Sequence, residues 1–247
     1  MSSLFLRDFV GVPAVGDTIT LEGAEAKHAV TVNRIRVGEE LFLGDGAGLL
    51  IGARVTVSTP GLLEAEALSV EVHPLPSPEL ILVQALAKGD RDEMAVQAAT
   101  ELGVSGVYPW AAERSISRWD AQKKVKGRAR WATIAREATK QSIRPHLAHV
   151  HDLLDLAGVA ALAADHDVLV LDPTAPVALT AHMAAREAAD TRPIVLVVGP
   201  EGGISSRELD ALEQAGAHRV VLGTTILRTS TAGPAALAVI TAALGRW

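Results

Sequence analysis

Two glycine-bearing turns near the end of the chain carry the residues best suited to hold a ligand and act on it. Residues 194–205 read IVLVVGPEGGIS, and residues 220–233 read VVLGTTILRTSTAG. Each turn follows a short apolar run and leads into a helix-like segment, so two neighbouring parallel strands would aim both at one ligand. The three glycines of GPEGG allow positive φ and close approach of backbone to a ligand, while Pro200 stiffens the loop. In the second turn the eleven residues from Gly223 to Gly233 separate strand from helix, a length that favours a functional loop. Arg228 is the one cation in that small and apolar stretch. It suits either a surface ion pair or a catalytic or substrate-orienting role. The stretch contains neither GxGxxG nor GxxxxGK[ST], so the usual dinucleotide and phosphate-loop signals are missing.

Other chemistry is limited by composition. The chain has no cysteine, which removes disulfides, thiolate metal sites and any cysteine nucleophile. His146, His149 and His151 place three imidazoles within six residues, but a polar surface strand accounts for them and no metal is expected. The formal net charge of -6 argues against a uniformly basic nucleic-acid binder. The charge is nevertheless segregated: residues 113–144 hold ten Lys or Arg against three acids, which leaves the remainder at -13. Such a patch has the form of a phosphate-backbone footprint and equally that of a solvated helix face.

The elements that must position these residues fall into two regions. With 247 residues and 49% hydrophobic content the chain can bury a substantial core. Residues 1–73 alternate short β-like runs (DTITLEG, ELFLGD, LLIGARVTV, ALSVEVH) with turn signals, which predicts a small β-barrel-like domain. HPLPSPE at 73–79 reads as a semi-rigid linker. From 79 to 247 strand and helix alternate. ELILVQALA precedes a helix from about Asp90 to Leu102, with Asp90 and Glu93 at capping-box spacing and Gly103 as the stop. GVYPW is a strand, and a long helix over roughly 120–142 ends before Arg144-Pro145. DVLVLD at 167–172 precedes a helix over 176–189. After GPEGG, Ser205 and Glu208 form a capping box that opens a helix stopped by Gly216. The alternation predicts an α/β domain with a parallel sheet covered by helices. No apolar stretch approaches the roughly 20 residues needed to span a bilayer, and MSSLFLRDFVG lacks the long apolar region of a signal peptide, so a cytoplasmic location is expected.

GPEGG, then LG, then ILRTSTA at this spacing resembles the RsmE-type family of bacterial 16S rRNA uracil-N3 methyltransferases, in the SPOUT superfamily. The resemblance extends through Lys88-Gly89-Asp90, ATELGV at 99–104, Glu113-Arg114-Ser115, REATKQSIR at 136–144, and His28, Arg34 and Gly38. It implies a trefoil-knotted SPOUT methyltransferase domain over 79–247 and a PUA-like RNA-binding domain over 1–73. It also implies a homodimer, 16S rRNA as substrate and S-adenosyl-L-methionine as cofactor. Carried onto this chain, the cofactor pocket comprises Leu171, Val198, Gly199, Pro200, Glu201, Gly202, Gly203, Leu222, Gly223, Ile226, Leu227, Arg228, Thr231 and Ala232.

The methyl acceptor implied is N3 of uridine, an imide nitrogen that is mostly protonated at neutral pH. Arg228 or Arg114 would stabilise the developing imidate, and Glu201 would either take the proton or hold backbone amides. Where many members of that family have glutamate this chain has Ser230, so no carboxylate base is implied there. The RNA-facing residues expected are His28, Arg34, Arg36, Lys88, Arg114, Arg136, Lys140 and Arg144, with Arg136, Lys140 and Arg144 spaced as one helical stripe. Absence of cysteine separates this reading from C5 methylation of uridine. The rivals are a ribose 2'-O-methyltransferase, against which the Glu-Arg-Ser and Gln-Ser-x-Arg patterns argue, and a non-catalytic nucleotide-binding regulator.

Overall fold

The computed structural model describes residues 3–247; residues 1 and 2 of the expected N-terminal domain lie outside them. The chain divides into two units, residues 1–75 with 139–147, and residues 76–138 with 148–247. The return of 139–147 to the first unit has no counterpart in the local sequence pattern.

In the first unit, β1 (Leu4–Leu6), β2 (Thr18–Glu22), β3 (Glu40–Gly44), β4 (Leu49–Thr59) and β5 (Leu62–Val72) form a mixed sheet in the order β1-β3-β4-β5-β2. Strand β1 runs parallel to β3 and the other pairs are antiparallel. Alternation in β4 turns Leu49, Ile51, Ala53 and Val55 inward, where they join Phe5, Leu21, Leu43 and Leu63. The sequence reading missed one element here. Helix α1 (Gly23–Lys27) and a π-helical turn over His28–Val32 bury Ala26 and Ala29 in that core.

The second unit is built on β6 (Leu80–Ala85), β7 (Gly106–Trp110), β8 (His149–Val150), β9 (Asp167–Leu171), β10 (Ile194–Val198) and β11 (His218–Val220). All pair in parallel, in the order β11-β9-β10-β6-β7-β8. Strands β6 and β10 are buried at every residue because helices cover both faces, and their sequences are accordingly apolar throughout except for Gln84 in β6. On one face Leu80, Leu82 and Leu196 pack with Val96 of α2 (Arg91–Glu101), Trp131 of α3 (Ala121–Gln141) and Leu237 of α7 (Thr229–Ala243). On the other, Ile81, Val83 and Val195 meet Val159 of α4 (Leu156–Ala161) and Leu212 of α6 (Ser206–Gln214). No helix of the described residues is long and apolar enough to cross a membrane.

Three local expectations are corrected. The helix expected over 176–189 is confined to α5 (Leu179–Ala185). Asp90 makes no side-chain cap, because it sits in the left-handed region at φ 59. Asp92, inside the first turn, accepts from the Ala87 amide at 3.0 Å and the Glu93 amide at 2.9 Å, while Glu93 turns away to Arg130. The two glycine-bearing turns do not follow neighbouring strands, since β9 lies between β10 and β11.

Gly48 and Gly61 separate two demands on glycine in the first unit. Both have positive φ, +119 and +90, but a Cβ on Gly48 would lie 2.5 Å from the His73 carbonyl oxygen, whereas Gly61 has nothing within 4 Å. Gly61→Ala should therefore cost about 1 kcal/mol of backbone strain and Gly48→Ala at least about 2 kcal/mol more, read as the difference between their urea-unfolding free energies.

Candidate active site

Because β9, β10 and β11 run the same way, the segments that leave their C-terminal ends share one edge of the sheet. They enclose a cleft of about 420 Å³, within the usual size range for small-molecule sites. Its first wall is Leu171, Asp172 and Pro173 after β9. The second is Val198, Gly199, Pro200, Glu201, Gly203 and Ile204 after β10. The third runs from Val221 to Gly223 and from Thr225 to Thr229 after β11, with Ala232 on α7 and Arg91 on α2 at the sides. Helix α7 begins at Thr229, so the connection from β11 is Val221–Arg228 and shorter than expected.

Of the residues anticipated for the pocket, Leu171, Val198, Gly199, Pro200, Glu201, Gly203, Leu222, Gly223, Ile226, Leu227, Arg228 and Ala232 line the cleft. Gly202 and Thr231 do not. Gly202 instead lies against Arg114, whose Cβ would be 3.1 Å from a Cβ built at that glycine, and Thr231 projects from the first turn of α7. The sequence reading missed Asp172, Pro173, Ile204, Val221, Thr225, Thr229 and Arg91. Asp172 is the last residue of the DVLVLD run, and that position at a strand's C-terminal end was its only local signal.

The loops are fixed by side chains that bond backbone. Thr229 Oγ1 donates to the Gly199 carbonyl at 2.8 Å, linking the second turn to the first. Gly199 has no room for a side chain, as a Cβ there would lie 2.6 Å from Ile204 Cγ1. The Ser205–Glu208 capping box forms as expected, and Glu208 Oε1 also accepts from the Glu113 amide at 2.7 Å. Arg114 Nη1 donates to the Gly202 carbonyl at 3.1 Å. The Glu-Arg-Ser segment after β7 is thereby sewn to the GPEGG turn.

Two carboxylates of the cleft are committed acceptors. Glu201 Oε1 accepts from the Lys88 amide at 3.0 Å and from Arg91 Nη1 at 2.9 Å. Burial raises its pKa, but the backbone amides of Glu201 and Lys88 and the Arg91 guanidinium outweigh this and hold it below the ordinary 4.5. Asp172 accepts from the Thr174 amide at 2.9 Å and from Arg219 Nε at 2.8 Å. Its burial is likewise outweighed by those partners, and its pKa is lowered. Arg228 differs from both. It is exposed, and its guanidinium makes no hydrogen bond or ion pair among the described residues.

The expected RNA-facing cations are not equivalent. Lys88 and Arg114 are exposed near the GPEGG turn, and Arg34 and Arg36 are exposed in the first unit, Arg34 at φ 56. Lys140 is 7% exposed, pairs with Glu25 at 3.3 Å, contacts His28 Nδ1 at 3.3 Å and lies over the Phe5 ring at 5.7 Å. A cation so enclosed serves the first unit's core. Arg144 lies beyond the end of α3, and burial lowers its pKa to about 10. The three-residue stripe is thus corrected to Arg136 alone as a half-exposed helical cation. The exposed cations of α3 are instead Lys123, Lys124, Lys126, Arg128 and Arg130. His28 is half-buried, edge-on to Phe5. His146 is buried beside Gly48, while His149 and His151 pack edge to face in the other unit. No group of three His, Cys, Asp or Glu among the described residues could hold a metal ion.

A parallel-sheet domain with a ligand cleft at the C-terminal ends of its last three strands, joined to a small mixed-sheet domain, matches known RNA-modifying enzymes. Residues 73–241 match the RNA methyltransferase domain family, and residues 21–68 match the RNA methyltransferase PUA domain family. The ribosomal RNA small subunit methyltransferase E of Mycobacterium bovis is 39% identical over 96% of this chain and 90% of its own. That of Bacillus subtilis is 29% identical over 90% and 89%. The crystal structure of the Neisseria gonorrhoeae enzyme bound to S-adenosyl methionine superimposes with a TM-score of 0.83 at 30% identity, covering 98% of each chain. The chain belongs to the RNA methyltransferase family that contains the proteins named ribosomal RNA small subunit methyltransferase E.

Since the Glu201 pKa is lower folded than unfolded, its stabilising contribution is complete above the ordinary 4.5 and disappears as pH falls through the folded value. Urea unfolding followed from about pH 6 to about pH 3 should show a shallower acid loss in Glu201→Gln than in the wild-type protein.

Proposed function

We propose that this chain transfers a methyl group from S-adenosylmethionine to N3 of a specific uridine in 16S ribosomal RNA. The observation that carries the reading is the cleft itself: three strand-end loops, stitched together by backbone-directed bonds, in a chain aligned along almost its whole length with enzymes of that name. The residues fit the cofactor. Apolar Leu171, Val198, Leu222, Ile226 and Leu227 suit an adenine ring and a thioether, and the glycines leave backbone amides accessible to polar groups. Bound there, S-adenosylmethionine supplies an electrophilic methyl carbon on a sulfonium sulfur.

The chain's own task is to place a uracil against that carbon and to make its N3 nucleophilic. Placement is the larger effect, because an in-line displacement depends on near-attack geometry. Arg228 sits on the loop at the cleft with no partner among the described residues, so its charge is available to the uracil oxygens as N3 loses its proton. Glu201 is ill suited to accept that proton, since its lowered pKa makes it a weak base for an imide. It holds the Lys88 backbone and Arg91 against the GPEGG turn instead. Blocking N3 requires an unpaired or extruded base, and Lys88, Arg114 and the exposed cations of α3 supply the charge to grip its phosphates. With this reading go the trefoil-knotted SPOUT topology, a homodimer, a cytoplasmic place of action and an RNA-gripping role for the first unit with His28, Arg34 and Arg36.

Incubation of the purified protein with S-adenosylmethionine and small ribosomal subunits lacking the modification should yield N3-methyluridine in nuclease digests analysed by mass spectrometry. Methylation at ribose, or none, would refute the assignment. Within the cleft, Arg228→Ala should lower kcat about 10²-fold with an unchanged melting temperature. Glu201→Gln should cost less than about tenfold, where loss of a true general base costs about 10²–10⁴.

A further inference from the structure

Strand β6 reads LILVQA and is buried throughout, yet its fifth residue is a primary amide, Gln84, with no exposed surface. A buried amide is costly unless its polar atoms are bonded. Gln84 Nε2 donates to the Ala85 carbonyl at 3.1 Å and to Thr229 Oγ1 at 2.9 Å. Turning the amide over would set its oxygen against the Ala85 carbonyl, two acceptors face to face, so the direction of these bonds is determined. Thr229 Oγ1 therefore receives a hydrogen bond and commits its own hydrogen to the Gly199 carbonyl at 2.8 Å. The Gly199–Pro200 peptide has no N–H, which makes that carbonyl its single polar group. The result is a one-way relay from β6, through the first residue of α7, to the turn after β10.

Stability does not account for this arrangement. Gln84 Oε1 is buried with no hydrogen-bond partner among the described residues, whereas an apolar side chain of similar size would leave no orphaned oxygen. What the relay achieves is placement, since Gly199, Pro200 and Thr229 all line the cleft. We infer that Gln84 and Thr229 are positioning residues, which set the affinity of the cleft for S-adenosylmethionine by locking the GPEGG turn to the start of α7. The inference rests on the reading of the cleft given above.

Calorimetric titration of the full-length protein with S-adenosylmethionine tests it, because a smaller folded fraction lowers stoichiometry while a mispositioned turn raises Kd. Thr229→Val, which keeps the shape and removes the hydroxyl, should bind on the order of tenfold more weakly. Thr229→Ser should restore binding to within about threefold of wild type. Gln84→Met should also weaken binding, and the double variant should be no worse than Thr229→Val alone, as expected for two members of one relay. Wild-type Kd in Thr229→Val, reduced stoichiometry at unchanged Kd, or a Thr229→Ser variant as weak as Thr229→Val would overturn the positioning role. Absence of S-adenosylmethionine binding by the wild-type protein would refute the reading of the cleft itself, and the inference with it.

Discussion

Parallel pairing of six strands sends the ends of β9, β10 and β11 to a single edge of the sheet, and the candidate site depends on that shared direction. The sheet does little of the binding itself. It delivers three loops, and their mutual arrangement comes from bonds in which a side chain of one element satisfies the backbone of another. Glu208 takes the Glu113 amide, Arg114 the Gly202 carbonyl, Glu201 the Lys88 amide and Thr229 the Gly199 carbonyl. Backbone groups at the mouth of a cleft would otherwise wander among water partners. Held this way, they form a wall before any ligand arrives, which reduces the ordering cost of binding.

Charge follows a division of labour. Acidic side chains around the cleft are turned inward to amides and guanidinium groups and have lowered pKa values, so they stay ionised and occupied. Arg228 stands apart with its guanidinium unpaired among the described residues. A protein of net charge -6 can in this way present cations to an RNA while its acids are absorbed by its own framework.

What the sequence disclosed was local. The apolar run IVLVV, the Ser205–Glu208 box and the helix stop before Arg144-Pro145 each depend on neighbours within a few residues, and each stands in the structure. The failures depended on distant partners. Asp90 caps nothing with its side chain, and Glu93, its expected capping-box partner, is drawn to Arg130, 37 residues away. Lys140 was expected to face RNA in a stripe with Arg136 and Arg144, but Glu25, 115 residues away, draws it into a core. Strand order was equally hidden, since no periodic pattern states that β9 lies between β10 and β11. Gln84 had left a trace, a lone amide in an apolar strand, whose meaning required Thr229 to be beside it.

The return of residues 139–147 to the first unit bears on the order in which the protein is made. That unit lacks part of its interior until residue 147 has been synthesised, because Gly48 bonds the Pro145 carbonyl and Glu25 meets Lys140. By then β6, α2 and β7 of the larger unit have already left the peptidyl-transferase centre. Emergence from the ribosome therefore cannot deliver a finished N-terminal unit followed by a C-terminal one, the usual sequence for chains of two domains. The first unit can close only after residues 76–138 of the larger one have been made, and the larger unit only after residues 148–247 follow.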